Sequence, residues 1–144
     1  KSFNPSIHII GVQAENVHGM AESFYKRALT EHREDSTIAD GCDVKVPGEK
    51  TYEVVKHLVD EFILVSEEEI EHAMQDLMQR AKIITEGAGA LPTAAILSGK
   101  IDKKWLEGKN VVALVSGGNV DLTRVSGVIE HGLNIADTSK GVVG

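Results

Sequence analysis

At 144 residues, with 42% hydrophobic and 26% charged residues, the chain is long enough for one domain with a sizeable core. A formal net charge of -7 and the lack of any Lys/Arg cluster exclude nucleic acid as an expected partner. The longest apolar run, Val111–Val115, falls far short of the roughly 20 residues that cross a bilayer, so no membrane partner is expected either.

Lys1–Ile10 lacks the long apolar core and small-residue cleavage site of a signal peptide. Cys42 is the one cysteine, so no internal disulfide can form, and a reducing, cytoplasmic compartment fits. The chain opens on Lys1 rather than Met and reads as a fragment or a processed chain.

Ser6–Val12 is rich in β-branched residues and predicts a strand. His18–Leu29 predicts a short helix with Met20, Phe24 and Ala28 on one face. Thr30–Gly48 is polar and loop-like and carries Thr37-Ile38-Ala39-Asp40-Gly41-Cys42-Asp43. Thr51–Val59 predicts a helix with Val54, Val55, Leu58 and Val59 inward, and Phe62–Val65 predicts a short strand. Ser66-Glu67-Glu68-Glu69 has the form of a capping box, in which Glu69 reaches back to the cap N–H. Ile70, Ala73, Met74, Leu77 and Ala81 then follow at helical spacing.

Glu86–Leu97 predicts a helix whose many Gly and Ala residues permit close packing. Asn110–Val115 predicts a third strand. Asp121–His131 is the last predicted helix, and 134–144 a flexible tail. Strands alternating with helices imply an α/β fold, a short, mostly parallel sheet flanked by helices. With so few strands, the sheet suits part of a larger domain.

Three stretches stand out. Ser116-Gly117-Gly118-Asn119 ends a predicted strand at a helix start, where α/β sheets bind ligands; by spacing alone it is equally a turn that needs glycine. Glu86-Gly87-Ala88-Gly89-Ala90 sets a carboxylate at a glycine-rich helix start, and dipole stabilisation alone accounts for such an acid. Pro92 stands where a dinucleotide fingerprint needs its third glycine. Ala39–Asp43 is a ligand loop or a plain turn. Cys42 pairs with no readable His and suits a small buried residue better than a nucleophile. No spacing of His, Asp, Glu or Cys matches a metal site.

Taken together, Ile9–Asn16, Thr37–Gly41, Thr85–Ala90 and Ser116–Asp121, in this order, resemble the C-terminal part of pyridoxal-phosphate enzymes of the tryptophan-synthase-β fold type. Within that group the resemblance is to the short, catabolic threonine dehydratases, from about Ile7 to His131. It implies a three-layer α/β/α catalytic unit of which 1–133 is the C-terminal part, with no regulatory domain.

The resemblance also implies site roles. Ser116, with Gly117 beside it, is similar to the residue that hydrogen-bonds the pyridine nitrogen of the cofactor, and Gly41 and Glu86 resemble pocket-lining groups. Lys82 and Asn119 resemble nucleotide contacts in serine racemases and imply an AMP-type effector site between subunits of a homo-oligomer. Gln13, Val17 and Gly19 stand where serine racemases hold a divalent cation; no carboxylate is present there, so no metal is expected.

The family's cofactor-linking Lys lies in a Ser-x-Lys-x-Arg-type segment, and no such segment occurs here. No catalytic residue is therefore assigned in this chain. The implied whole enzyme converts L-threonine (or L-serine) to a 2-oxo acid and ammonia, while the chain alone is expected to be inactive. Two other readings remain: a non-enzymatic module for assembly and effector binding, and a serine racemase-like enzyme.

Overall fold

The computed structural model describes residues 1–31 and 36–140, with the backbone only for 133–140. Two strands, β1 (Ile10–Ala14) and β2 (Glu61–Val65), pair in parallel, with Ile10 opposite Glu61 and Ala14 opposite Val65. The crossover between them carries α1 (Gly19–Lys26), a 3-10 turn at Asp40–Cys42 and α2 (Glu49–Leu58). After β2 come α3 (Glu67–Asp76), a π turn (Leu77–Ala81), α4 (Gly87–Leu97), a 3-10 turn (Lys103–Trp105) and α5 (Leu122–Lys140). The α/β class expected from the sequence is the one observed. No helix among the described residues is long and apolar enough to cross a membrane.

The start of the sheet is fastened by Asp60. Its carboxylate accepts from the Ile9 N–H at 2.8 Å and pairs with Lys1. The hydrogen bond from Ile9 and the Lys1 ammonium hold the Asp60 carboxyl below its ordinary value.

The far end of the sheet is tied by Lys100, whose ammonium donates to Glu15 Oε1 (2.9 Å), Glu69 Oε2 (2.8 Å) and the Leu64 carbonyl (3.0 Å). All three of its donors are thereby used. Desolvation opposes the charge, yet the Glu69 and Glu15 contacts prevail and hold Lys100 above its ordinary value. Glu69 closes the expected capping box as well, since Ser66 Oγ accepts from Glu69 N and Glu69 Oε2 accepts from Ser66 N.

The core lies where α4 packs between the sheet and α3. Ile63, Val65, Ile70, Ala73, Met74, Leu77, Ala90, Leu91, Ala94 and Ala95 are all buried there. α4 is apolar all round, as suits a central helix. α5 packs on α3: Val125 and Val128 are buried, and Gln75 Nε2 donates to the Val128 carbonyl at 2.7 Å.

Several expectations need correction. Asn110–Val115 forms no strand, because among the described residues no strand lies beside it to pair with. α2 buries Tyr52 rather than the expected apolar set, and Val54 (57%) and Leu58 (40%) stand exposed. Among the described residues α2 packs chiefly on α1, which leaves Val54 and Leu58 uncovered. α1 turns Gly19, Ala21 and Ser23 inward, with Met20 and Phe24 half-buried and Ala28 exposed, because small residues let it lie close. α5 is helical as far as Lys140 rather than His131; of the expected flexible tail, 141–144 lie outside the described residues, as do 32–35 of the polar loop.

Asp60 supplies a pH test. A carboxylate held low in the folded state adds stability that is present above its unfolded value, near pH ~3.9, and is lost as pH falls through the folded value. The Asp60→Asn variant is expected to be less stable than the parent chain at pH 7. The two should converge towards pH ~2 in urea titrations.

Candidate functional site

Three loops meet at the N-terminus of α4. The first is Ile38–Gly41. The Ile38 N–H donates to Glu67 Oε2 at 2.7 Å, which hangs the loop on the first turn of α3. Its carbonyl then lies so close to Gly87 that a Cβ there would sit 2.3 Å away.

The second is the turn at Ser116–Gly117. Thr85, 2% exposed, aims its hydroxyl at the carbonyls of Gly117 (2.9 Å) and Ser116 (3.1 Å). A Cβ on Gly89 would fall 1.6 Å from the Ser116 carbonyl oxygen. Gly117 takes φ +74°, and a Cβ on it would meet Glu86 Cδ at 2.5 Å.

The third is Thr85–Glu86 itself. Glu86 is the N-cap residue of α4, yet its side chain makes no capping bond and turns to the loops instead. A Cβ on Gly41 would lie 3.2 Å from both Glu86 Oε1 and Ala88 Cβ. Four glycines, at 41, 87, 89 and 117, therefore let three stretches of backbone meet, with Gly41 and Gly117 against the Glu86 side chain.

Beside this knot opens a cavity of about 470 Å³ lined by Ile38, Asp40, Gly41, Glu86, Gly87, Asn119, Val120, Asp121 and Arg124. Its polar groups are mixed in charge. Arg124 Nη2 stands 3.7 Å from Asp40 Oδ2 across the rim, a solvated pair of little energetic weight. Asp121 opens α5, its carbonyl accepting from Val125 N at 3.0 Å. Ser116 is exposed at the edge of the turn, and its hydroxyl makes no hydrogen bond among the described residues. Cys42 is half-buried next to this region; burial first, and then the Glu86 charge, push its thiol above the ordinary value.

Of the residues singled out in the sequence, Gly41, Glu86 and Asn119 share this cavity, and Ser116–Gly117 is bound to its wall through Thr85. Lys82 does not line it. It caps the π turn in the left-handed conformation (φ +60°) and donates to the Gln79 carbonyl at 2.6 Å. Gln13 caps α1 by accepting from Ala21 N at 2.7 Å, while Val17 is buried. Sequence reasoning missed Arg124, gave Thr85 no role of its own within Thr85–Ala90, and read Asp40 only as part of a ligand loop or plain turn at Ala39–Asp43. A threonine directly before a glycine-rich helix start was the readable signal for Thr85; nothing local marks Arg124.

The site is thus glycine-lined backbone around one carboxylate, beside a cavity in an α/β fold. The profile of pyridoxal-phosphate dependent enzymes matches residues 1–117, and the chain belongs to that family.

It is 94% identical over 144 residues to the L-threonine dehydratase catabolic TdcB of Staphylococcus aureus (strain USA300), covering 100% of this chain and 42% of that protein. It is 57% identical over 126 residues to the corresponding protein of Escherichia coli (strain K12), covering 88% of this chain and 38% of that one. Among solved structures, maize serine racemase superposes with a TM-score of 0.80 at 32% identity, covering 95% of this chain and 42% of that one. The processed form of threonine deaminase isoform 2 from Solanum lycopersicum superposes with a TM-score of 0.78 at 29% identity, covering 90% and 38%. The chain thus spans about 42% of the length of its Staphylococcus aureus relative.

Two outcomes check the geometry. Gly89→Ala should cost about 1–3 kcal/mol of stability in urea denaturation, the range for forcing extra volume into packed structure. The Cys42 thiol should alkylate more slowly than a solvent-exposed cysteine at pH ~8, because a raised value leaves less thiolate. In Glu86→Gln the reaction should quicken, since a negative neighbour is removed; an unchanged rate would place Glu86 away from Cys42.

Proposed function

We propose that the chain is the pocket-floor portion of a threonine dehydratase that uses pyridoxal phosphate. In the full-length protein L-threonine would lose its α-proton and β-hydroxyl and, after hydrolysis, leave as 2-oxobutanoate and ammonia; L-serine would give pyruvate. The observation that carries this reading is the meeting of Gly41 and Glu86 on one cavity beside the Ser116–Gly117 turn.

The residues present fit one side of such a cofactor. Gly41 and Gly117 leave backbone bare where a flat ring must approach, and a side chain on either would crowd Glu86. Bound pyridoxal phosphate supplies the electron sink for removal of the α-proton. Ser116 would donate its hydroxyl to the pyridine nitrogen. A neutral donor leaves that nitrogen largely unprotonated and the sink moderate, which suits an elimination whose β-hydroxyl departs at once. Thr85 holds the Ser116–Gly117 backbone in place. Glu86 would orient polar groups of the ring or of the substrate.

The base that takes the α-proton is not assigned to any of the 144 residues, since the Ser-x-Lys-x-Arg-type motif is absent from them. Lys82 and Asn119 would serve an AMP-type effector in a homo-oligomer. Lys82 is exposed at a helix end, where a phosphate can reach it. A lone, half-buried thiol supports a cytoplasmic setting.

The reading is tested with the chain in its full-length protein. L-threonine should yield 2-oxobutanoate, and Ser116→Ala should lower kcat about tenfold, the worth of one hydrogen bond near ~1.4 kcal/mol. A full-length protein that binds the cofactor but leaves L-threonine untouched overturns it. The 144-residue chain alone should release no 2-oxo acid.

A further inference from the structure

Among the described residues β2 pairs only with β1, so its other side is an edge. An open edge is a template for another chain, and proteins blunt it with side chains, charge or short length. The register shows which groups face outward. Glu15 N donates to the Val65 carbonyl at 2.8 Å, so Val65 turns towards β1. Successive residues of a strand alternate in direction, so Phe62 and Leu64 turn their N–H and C=O groups away from β1.

Side chains take three of those four groups. The Tyr25 hydroxyl accepts from the Phe62 N–H at 3.0 Å and donates to the Phe62 carbonyl at 3.1 Å. A residue directly opposite in an antiparallel strand would make that same pair of bonds. The Lys100 ammonium donates to the Leu64 carbonyl at 3.0 Å.

Both groups are held from behind. Tyr25 lies in the last turn of α1, and its ring meets the Phe24 ring edge-on, 5.2 Å between centroids. Phe24 stands 5.3 Å from the Phe62 ring, and Phe62 lies so close over Gly11 that a Cβ there would be 2.4 Å from it. Glu15 and Glu69 fix the Lys100 ammonium. Burial does not account for Tyr25, which is 62% exposed. A hydroxyl there gains little from the backbone that water would not supply. What it does achieve is occupation of the ladder.

We propose that Tyr25 and Lys100 close the outer edge of β2 against strand addition, and that the strand they exclude is β2 of a second copy of this chain. β2 reads Glu-Phe-Ile-Leu-Val, four apolar residues that suit a strand on either side of a pairing. A two-fold axis through Ile63 would set two such strands antiparallel. Phe62 would then stand opposite Leu64 of the second copy and exchange both backbone bonds with it. Glu61 would face Val65, so no like charges would oppose the pairing. The groups that pairing needs are the ones the two side chains occupy. The closure does not depend on cofactor or substrate, so it stands or falls apart from the function proposed above.

The test uses the full-length protein that carries this chain, followed by hydrogen exchange and sedimentation. Tyr25→Phe loses the hydroxyl and keeps the ring. Its amides at 61–65 should exchange about tenfold faster at low protein concentration, the effect of one lost hydrogen bond. Tyr25→Ala with Lys100→Gln opens both positions. This double variant should form a species of twice the parent mass as concentration rises, with 61–65 protected again in that species. Lys26→Ala, on the same helix but away from the edge, should do neither. Should the double variant not fold, Tyr25→Ala alone is read in the same way.

Unchanged exchange in Tyr25→Phe overturns the proposal, because the hydroxyl would then not hold the edge. So does an opened variant that keeps the parent mass at every concentration, or one that associates without protecting 61–65.

Discussion

One contact governs the arrangement: the N-terminal turn of α4 lies against the Ser116–Gly117 backbone so closely that no side chain fits between them. Gly89 makes the approach possible and Thr85 makes it favourable. A buried hydroxyl needs a partner, and Thr85 finds its acceptors in the carbonyls of its own and the facing loop. The hydroxyl thus links two segments about thirty residues apart in the chain. Everything proposed for Ser116 follows from that link, since a hydroxyl on an untethered turn would point nowhere in particular.

The rest of the structure supports α4 in that position. α3, the two strands and the Asp40–Cys42 turn cover most of its apolar surface, while Leu97 stays exposed. Lys100 draws the ends of β1 and β2 onto the cap of α3, and Glu67 suspends Ile38 over Gly87. The acidic first turn of α3 thus has two tasks beyond stabilising its own helix: Glu69 serves both the capping box and the Lys100 knot, and Glu67 positions a wall of the cavity.

Local rules were legible in the sequence where they act alone. The capping box at Ser66 and the inward face of α3 were readable because spacing within one helix decides both. The four glycine-bearing motifs were readable as a set, and three of them meet at one cavity wall. What failed depended on neighbours. Asn110–Val115 has every residue preference of a strand, yet a strand exists only when a ladder is offered to it. α2 has the period of an amphipathic helix but too little surface to cover it, so Val54 and Leu58 face outward. Arg124 reaches the cavity from the predicted helix Asp121–His131, but nothing local to it marks that reach.

The account is tested most directly by nuclear Overhauser contacts in the isotopically labelled chain. It predicts cross-peaks between the α-protons of Gly89 and protons of Ser116 and Gly117, together with contacts from the Thr85 methyl group to the same turn. A Ser116–Gly117 turn that shows contacts only to its sequence neighbours would contradict it, because the helix and the turn would then not meet.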